Sequence, residues 1–160
     1  MNKKTWDQMT ALELGAAIQI QSIDPIDLTD YFLDRITTED PENRIFICAT
    51  ANRARAEAQA ASQRSKARLR QSALDGVPIS WKDLTDTAGI ETTFGSALLR
   101  NRVPNQDALL LQRATLAGMV CLGKTTLSEF AYSGLGINPT MGTPATVSYT
   151  HLTLPTSDLV

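Results

Sequence analysis

Apolar and polar residues change period several times along the chain, and each change predicts an element. Met9-Thr10-Ala11-Leu12-Glu13-Leu14 reads as a helix start. Thr10 and Glu13 have the spacing of a capping box, and Met9 and Leu14 are placed for a hydrophobic staple around it. This helix should run to about Ile20. Asp24 then stands as an N-cap before Pro25 at the first helical position, with Ile23 and Leu28 as a second staple. Leu28, Phe32, Leu33 and Ile36 recur at helical spacing and predict an apolar face, and Asp40-Pro41 ends the helix. Ile45-Phe46-Ile47 predicts a short strand or a buried extended connection. From about Ala51 to Gln71 the chain is rich in alanine, arginine and glutamine, all strong helix formers.

The period then falls to two. Val77, Ile79 and Trp81 alternate with Pro78, Ser80 and Lys82, as in a half-buried strand, and Gly76 and Pro78 suit its first residues. Lys82 therefore leaves the strand near its C-terminal end, on the face opposite Trp81. Two readings of it stand side by side. Held out of bulk water, such a lysine loses pKa and can act as a base. Left in water, it is a solvated cation paired with Asp83 or Asp86. Asp86 to Ser96 is polar and turn-rich, punctuated by Gly89 and Gly95. Ala108-Leu109-Leu110-Leu111 and Leu116 mark a helical face that Gly118 caps, and Met119-Val120-Cys121-Leu122 suits a buried strand. Helix, glycine, buried strand is the signature of an α/β fold, with the three N-terminal helices as a cover around the start of the sheet. Thr126 and Glu129 have the spacing of another capping box and predict a further helix.

Composition narrows the classes. A chain of 160 residues suits one domain, and 42% apolar with 20% charged residues argues against disorder. The net charge of −2 points to neither nucleic acid nor an anionic membrane. Arg53, Arg55, Arg64, Lys66, Arg68 and Arg70 crowd one helix against a single acid, Glu57. Without interleaved aromatics this reads as a solvated face rather than a nucleic-acid reader. Cys48 and Cys121 match no metal spacing and sit in apolar runs, so buried free thiols in a reducing compartment are expected. No apolar h-region follows Met1, and no run approaches the ~20 residues that span a bilayer. The expected location is the cytoplasm, with no membrane association. Gly118 to Thr125 matches the phosphate-loop pattern G-x4-G-K-[ST] letter for letter. However, its middle residues are apolar and strand-like, and a helix precedes it where a strand is needed. Lys124 is expected to be structural, near the sheet's edge.

Taken together and in order, several segments resemble the amidase signature family. They are Gly76-Val-Pro-Ile-Ser-Trp-Lys-Asp-Leu84, Asp86-Thr-Ala-Gly89, Thr92-Thr-Phe-Gly-Ser96, Gly123-Lys-Thr125 and Glu129-Phe-Ala131, and the likeness covers most of residues 10–146. The family usually has asparagine where Thr126 stands; both are good N-caps. The resemblance implies the N-terminal part of the amidase signature fold, a mixed sheet with helices packed around it. It further implies that Lys82 is the lysine of a Ser–cis-Ser–Lys triad hydrolysing a small-molecule carboxylic amide through an acyl-enzyme. No metal or organic cofactor is implied. The family's Gly-Gly-Ser-Ser-Gly segment and nucleophilic serine do not occur before Val160, so residues 1–146 are expected to be an incomplete, inactive portion of an amidase domain. One alternative within the family is the A subunit of a glutamyl-tRNA amidotransferase, the only reading that brings in nucleic acid. Another is a non-catalytic interaction module on the N-terminal helices.

From Val147 the character changes. Val147–Val160 resembles a translated transposon adaptor of the kind used in preparing sequencing libraries, so these residues are expected to be read-through. On that reading His151, Ser148 and Ser157 leave the mechanism. The alternative is a genuine divergent strand with Tyr149, His151 and Thr153 on one face.

Overall fold

The computed structural model describes residues 3–144; the expectations for Val147–Val160 lie outside them. The chain opens with a 3₁₀ turn, Lys3–Gln8, and two helices, α1 (Ala11–Gln19) and α2 (Pro25–Glu39). Both helices begin where local chemistry requires. The Thr10 side chain accepts from the Glu13 amide while Glu13 accepts from the Thr10 amide, and Asp24 accepts from the Ile26 amide ahead of Pro25. Asp40 closes α2, and its carboxylate then accepts the amides of Arg44, Ile45 and Phe46, turning the chain into β1 (Phe46–Ala49).

Helix α3 (Ala51–Ala67) stops four residues before the sequence suggests. Arg68 takes a left-handed φ of 59°. The reason is Asp75, whose buried carboxylate accepts both arms of Arg64 and the amide of Gln71, wrapping the chain around itself. The basic residues of α3 are not simply a solvated face. Arg53 bridges Glu57 and Asp107, Arg55 meets Asp30, Arg64 meets Asp75 and Lys66 meets Asp24. Ion pairing to neighbouring elements absorbs the charge that the sequence concentrates here.

Strands β2 (Pro78–Lys82) and β3 (Val120–Thr125) complete a three-stranded mixed sheet in the order β1-β3-β2, with β3 antiparallel to β1 and parallel to β2. One face buries Val120 and Leu122 against Leu33, Ala54 and Ala58 of α2 and α3. The other buries Cys121 and Trp81 with Leu111 of α4 (Leu109–Leu116). Only Leu111 of the leucine run is core; Leu109, Leu110 and Leu116 are exposed. A separate cluster joins Trp6, Leu14, Ile18, Ile23, Leu28 and Val77, tying α1 and α2 to the start of β2.

One expectation changes here and one holds. Lys124 is structural, but it lies in the central strand and not at an edge. The phosphate-loop lookalike is also a strand: Gly118 has φ 85° after α4, and Val120–Thr125 is already committed to the sheet. Gly123 is small because a Cβ there would come within 2.3 Å of the Cys48 carbonyl oxygen. Its register carries a bulge. Ile79 faces Cys121, yet the next pair is Ser80 with Gly123, so Leu122 is the extra residue. The shift brings Lys124 opposite Trp81, whereas strict alternation would have set it beside Val120 and Leu122.

Candidate active site

Lys82 ends β2 on the face opposite buried Trp81, as the alternation predicts, but its side chain is exposed among the described residues and not held out of bulk water. Neither adjacent carboxylate is its partner. Asp83 is wholly buried against Lys124 at 2.9 Å, and Asp86 holds both arms of Arg102 at 2.6 and 2.8 Å. The Arg102 guanidinium keeps the Asp86 carboxyl below its ordinary range, and Asp86 in turn raises the guanidinium.

Beyond the strand, Lys82 lines a cavity of about 180 Å³ with Thr126, Ser128, Ala131, Ser133, Gly134 and Pro144. The wall that faces Lys82 comes from the segment after β3. The expected capping box of Thr126 and Glu129 does not form. Thr126 donates its hydroxyl to the Arg44 carbonyl and its amide to that of Ile45, and Glu129 accepts from Ser96 at 2.6 Å. Each member is taken by a tertiary partner, so only a single 3₁₀ turn, Glu129–Ala131, appears. Phe130 and Ala131 have φ of 51° and 56°, and Phe94, whose carbonyl accepts the Phe130 amide, has φ 55°. Left-handed non-glycine residues are uncommon and cost energy, and three of them here concentrate backbone strain beside one cavity.

The hydroxyls of that wall are locally engaged. Ser128 Oγ donates to the Ser133 carbonyl at 2.8 Å and accepts the Ser133 amide, and Ser133 Oγ accepts the Leu135 amide. Among the described residues neither has a basic group as hydrogen-bond partner, so neither is arranged there as an activated nucleophile. Asn138 pins the same segment, its Nδ2 donating to the carbonyls of Gly95 and Leu127. What the described residues bring together is one exposed lysine and a strained, glycine-rich wall.

Other expected features fall elsewhere. Cys121 is buried, but Cys48 is only half-buried; both are free, and burial pushes both thiols up. Among the described residues no cluster of three His, Cys, Asp or Glu could hold a metal, and no helix is long and apolar enough to cross a membrane. Sequence reasoning passed over the joined group of Lys124, Asp83, Thr92 and Thr93. The signal available was a lysine in an apolar strand together with an acid at the end of its neighbour.

The sequence model of the family described as Amidase matches residues 27–151. Over 119 residues the chain is 40% identical to the A subunit of the glutamyl-tRNA(Gln) amidotransferase of Anaeromyxobacter dehalogenans, covering 74% of this chain and 24% of that protein. It superposes on the peptide amidase of Stenotrophomonas maltophilia with a TM-score of 0.73 and 30% identity, covering 81% of this chain and 26% of that one. It also matches an inhibitor-bound protein of a vestigial complex connected with the origins of an s-triazine catabolic enzyme, at TM-score 0.79 and 33% identity. That match covers 84% of this chain and 30% of the other, so the chain spans 24–30% of the length of these relatives. With the matched region running through the strand that ends in Lys82 and the wall that faces it, this chain belongs to the amidase family.

Proposed function

We propose that this chain supplies the lysine base of an amidase that hydrolyses a carboxylic amide C–N bond through an acyl-enzyme. Lys82 is that base. The observation that carries the reading is its position: it ends a strand, open to a cavity with a strained wall, while both neighbouring carboxylates are paired elsewhere. In its neutral form the amine takes a proton through a cis-serine, freeing a serine alkoxide to attack the amide carbonyl. The tetrahedral oxyanion is held by backbone amides, the leaving amine is protonated by the lysinium, and water releases the acid. Both serines lie outside residues 1–146, so the 160-residue chain by itself is inactive, and Val147–Val160 is read-through. The chemistry needs no metal or organic cofactor.

The test is Lys82→Ala in the complete gene product that carries this sequence. Hydrolysis of a panel of small amides should fall by at least about 10³-fold, the loss expected when a base acting as one unit with its nucleophile is removed. Retention of half the rate overturns the assignment. Resequencing an independent genomic copy through Thr146 decides the origin of the tail.

A second reading is favoured by the likeness to the glutamyl-tRNA(Gln) amidotransferase chain. There Lys82 would do the same chemistry on glutamine, with the ammonia passed to a mischarged tRNA. Amide hydrolysis that depends on co-purified partner proteins distinguishes it from a free-standing amidase.

A further inference from the structure

Lys124 is wholly buried, and the reaction proposed for Lys82 does not use it. An isolated ammonium in a protein interior is strongly disfavoured, so a site that accepts one has to be built for it. This one is. Lys124 Nζ donates to Asp83 Oδ1 and Thr92 Oγ1, both at 2.9 Å. Asp83 Oδ2 accepts the Thr93 amide at 2.9 Å and the Thr93 hydroxyl at 2.6 Å. Thr92 and Thr93 are themselves buried.

The backbone around this pair leads to the candidate site in two directions. The Asp83 amide donates to the Thr125 carbonyl, fixing the residue next to Lys82 onto β3. The Asp83 carbonyl accepts the Phe94 amide, and the Phe94 carbonyl accepts the amide of Phe130, beside Ala131 in the cavity wall. A single buried ion pair thus joins the end of β2, the loop carrying Thr92 to Phe94, and the opposite wall of the cavity. The pair lies on the face of Trp81, and Lys82 on the other.

We infer that the Lys124–Asp83 pair, braced by Thr92 and Thr93, is a positioning device for Lys82. It fixes where β2 ends relative to the cavity wall. It also turns Asp83, the carboxylate adjacent to Lys82 in the chain, to the far face of the sheet, where it cannot become a counter-ion to the base. Lys124 and Asp83 do not line the cavity and act only through Lys82. The inference rests on Lys82 being the base.

The experiment uses the complete gene product carrying this sequence and measures kcat, KM and melting temperature for Lys124→Met/Asp83→Asn, Thr92→Val and Lys82→Ala. The double variant removes both charges together and so avoids stranding one of them in the interior. Its kcat should fall about 100-fold, the loss that a displacement of about 1 Å at a reacting group can cause. KM should stay within about twofold, because substrate contacts are untouched. Thr92→Val removes one hydrogen bond to Nζ at nearly constant shape and should lower kcat about tenfold. Wild-type kcat in a folded double variant overturns the inference. If the double variant does not fold, wild-type kcat in Thr92→Val overturns it instead. Lys82→Ala separates the two levels: an inactive Lys82→Ala beside a fully active double variant refutes positioning alone, whereas an active Lys82→Ala refutes the base assignment beneath it.

Discussion

Replacing Lys124 with methionine is the most direct probe of how this fold is held. The two side chains are close in length, so packing changes little, but Asp83 is left 0% exposed without its counter-ion and Thr92 without its donor. Breaking a buried pair by removing one partner costs roughly 3–5 kcal/mol, because a charge remains uncompensated in the interior. For a folded unit of this size each kcal/mol moves the melting temperature by about 3–4 °C. Lys124→Met should therefore melt about 10–20 °C below the parent chain. The assay is thermal unfolding followed by circular dichroism, with tryptophan fluorescence, to which Trp6 and Trp81 both contribute, as a second probe. Adding Asp83→Asn should recover at least half of the loss, since an amide in place of the carboxylate leaves no buried charge and can still accept from Thr93. A single variant melting within about 3 °C of the parent would refute the reasoning, since a lysine so little missed was paired in water and not in the interior.

Three further outcomes follow from particular contacts. Iodoacetamide under native conditions should alkylate Cys48 and spare buried Cys121, with both modified in denaturant; peptide mass mapping reads the difference. The Asp107 carboxyl is held below its ordinary 3.8 by hydrogen bonds from Arg53, so its contribution is present above 3.8 and lost as pH falls through the lower folded value. Asp107→Asn should accordingly flatten the acid limb of a stability–pH curve while lowering its plateau, and an unchanged limb would dismiss the pair as a stabilising contact. Gly118→Ala should destabilise by about 2 kcal/mol or more, because φ is 85° and the new Cβ would lie 2.3 Å from Asp75 Oδ1. Chemical denaturation with an unchanged m-value is the check.

The parts of the fold legible in the sequence are those whose causes are local. The Thr10–Glu13 box and the Asp24-Pro25 start each satisfy their own helix ends within a few residues, and both form. Alternation alone placed Lys82 at a strand end opposite Trp81. What failed has partners far along the chain. Thr126 and Glu129 have the letters of a capping box, but Arg44 and Ser96 take their side chains. The basic residues of α3 look solvated until Asp24, Asp30, Asp75 and Asp107 arrive beside them. Spacing within a segment cannot show which distant carboxylate meets which cation.

The two lysines make this concrete. Lys82 and Lys124 both sit near the ends of short strands rich in apolar residues, and read singly each is as suited to chemistry as to structure. The sheet separates them. Pairing of β2 with β3, shifted by the bulge at Leu122, sets Lys124 on the face of Trp81 and Asp83, where a carboxylate and a threonine consume its charge. Lys82 comes out on the other face, lining a cavity, while Asp83 and Asp86 are paired elsewhere. A one-residue change in that register would exchange the faces on which the β3 side chains lie. Lys124 would leave Asp83 uncompensated in the interior and stand on the side of the sheet from which Lys82 faces the cavity. The distinction between a structural and a reactive lysine in this chain is therefore a property of strand register, which the bulge and the Lys124–Asp83 pair set together.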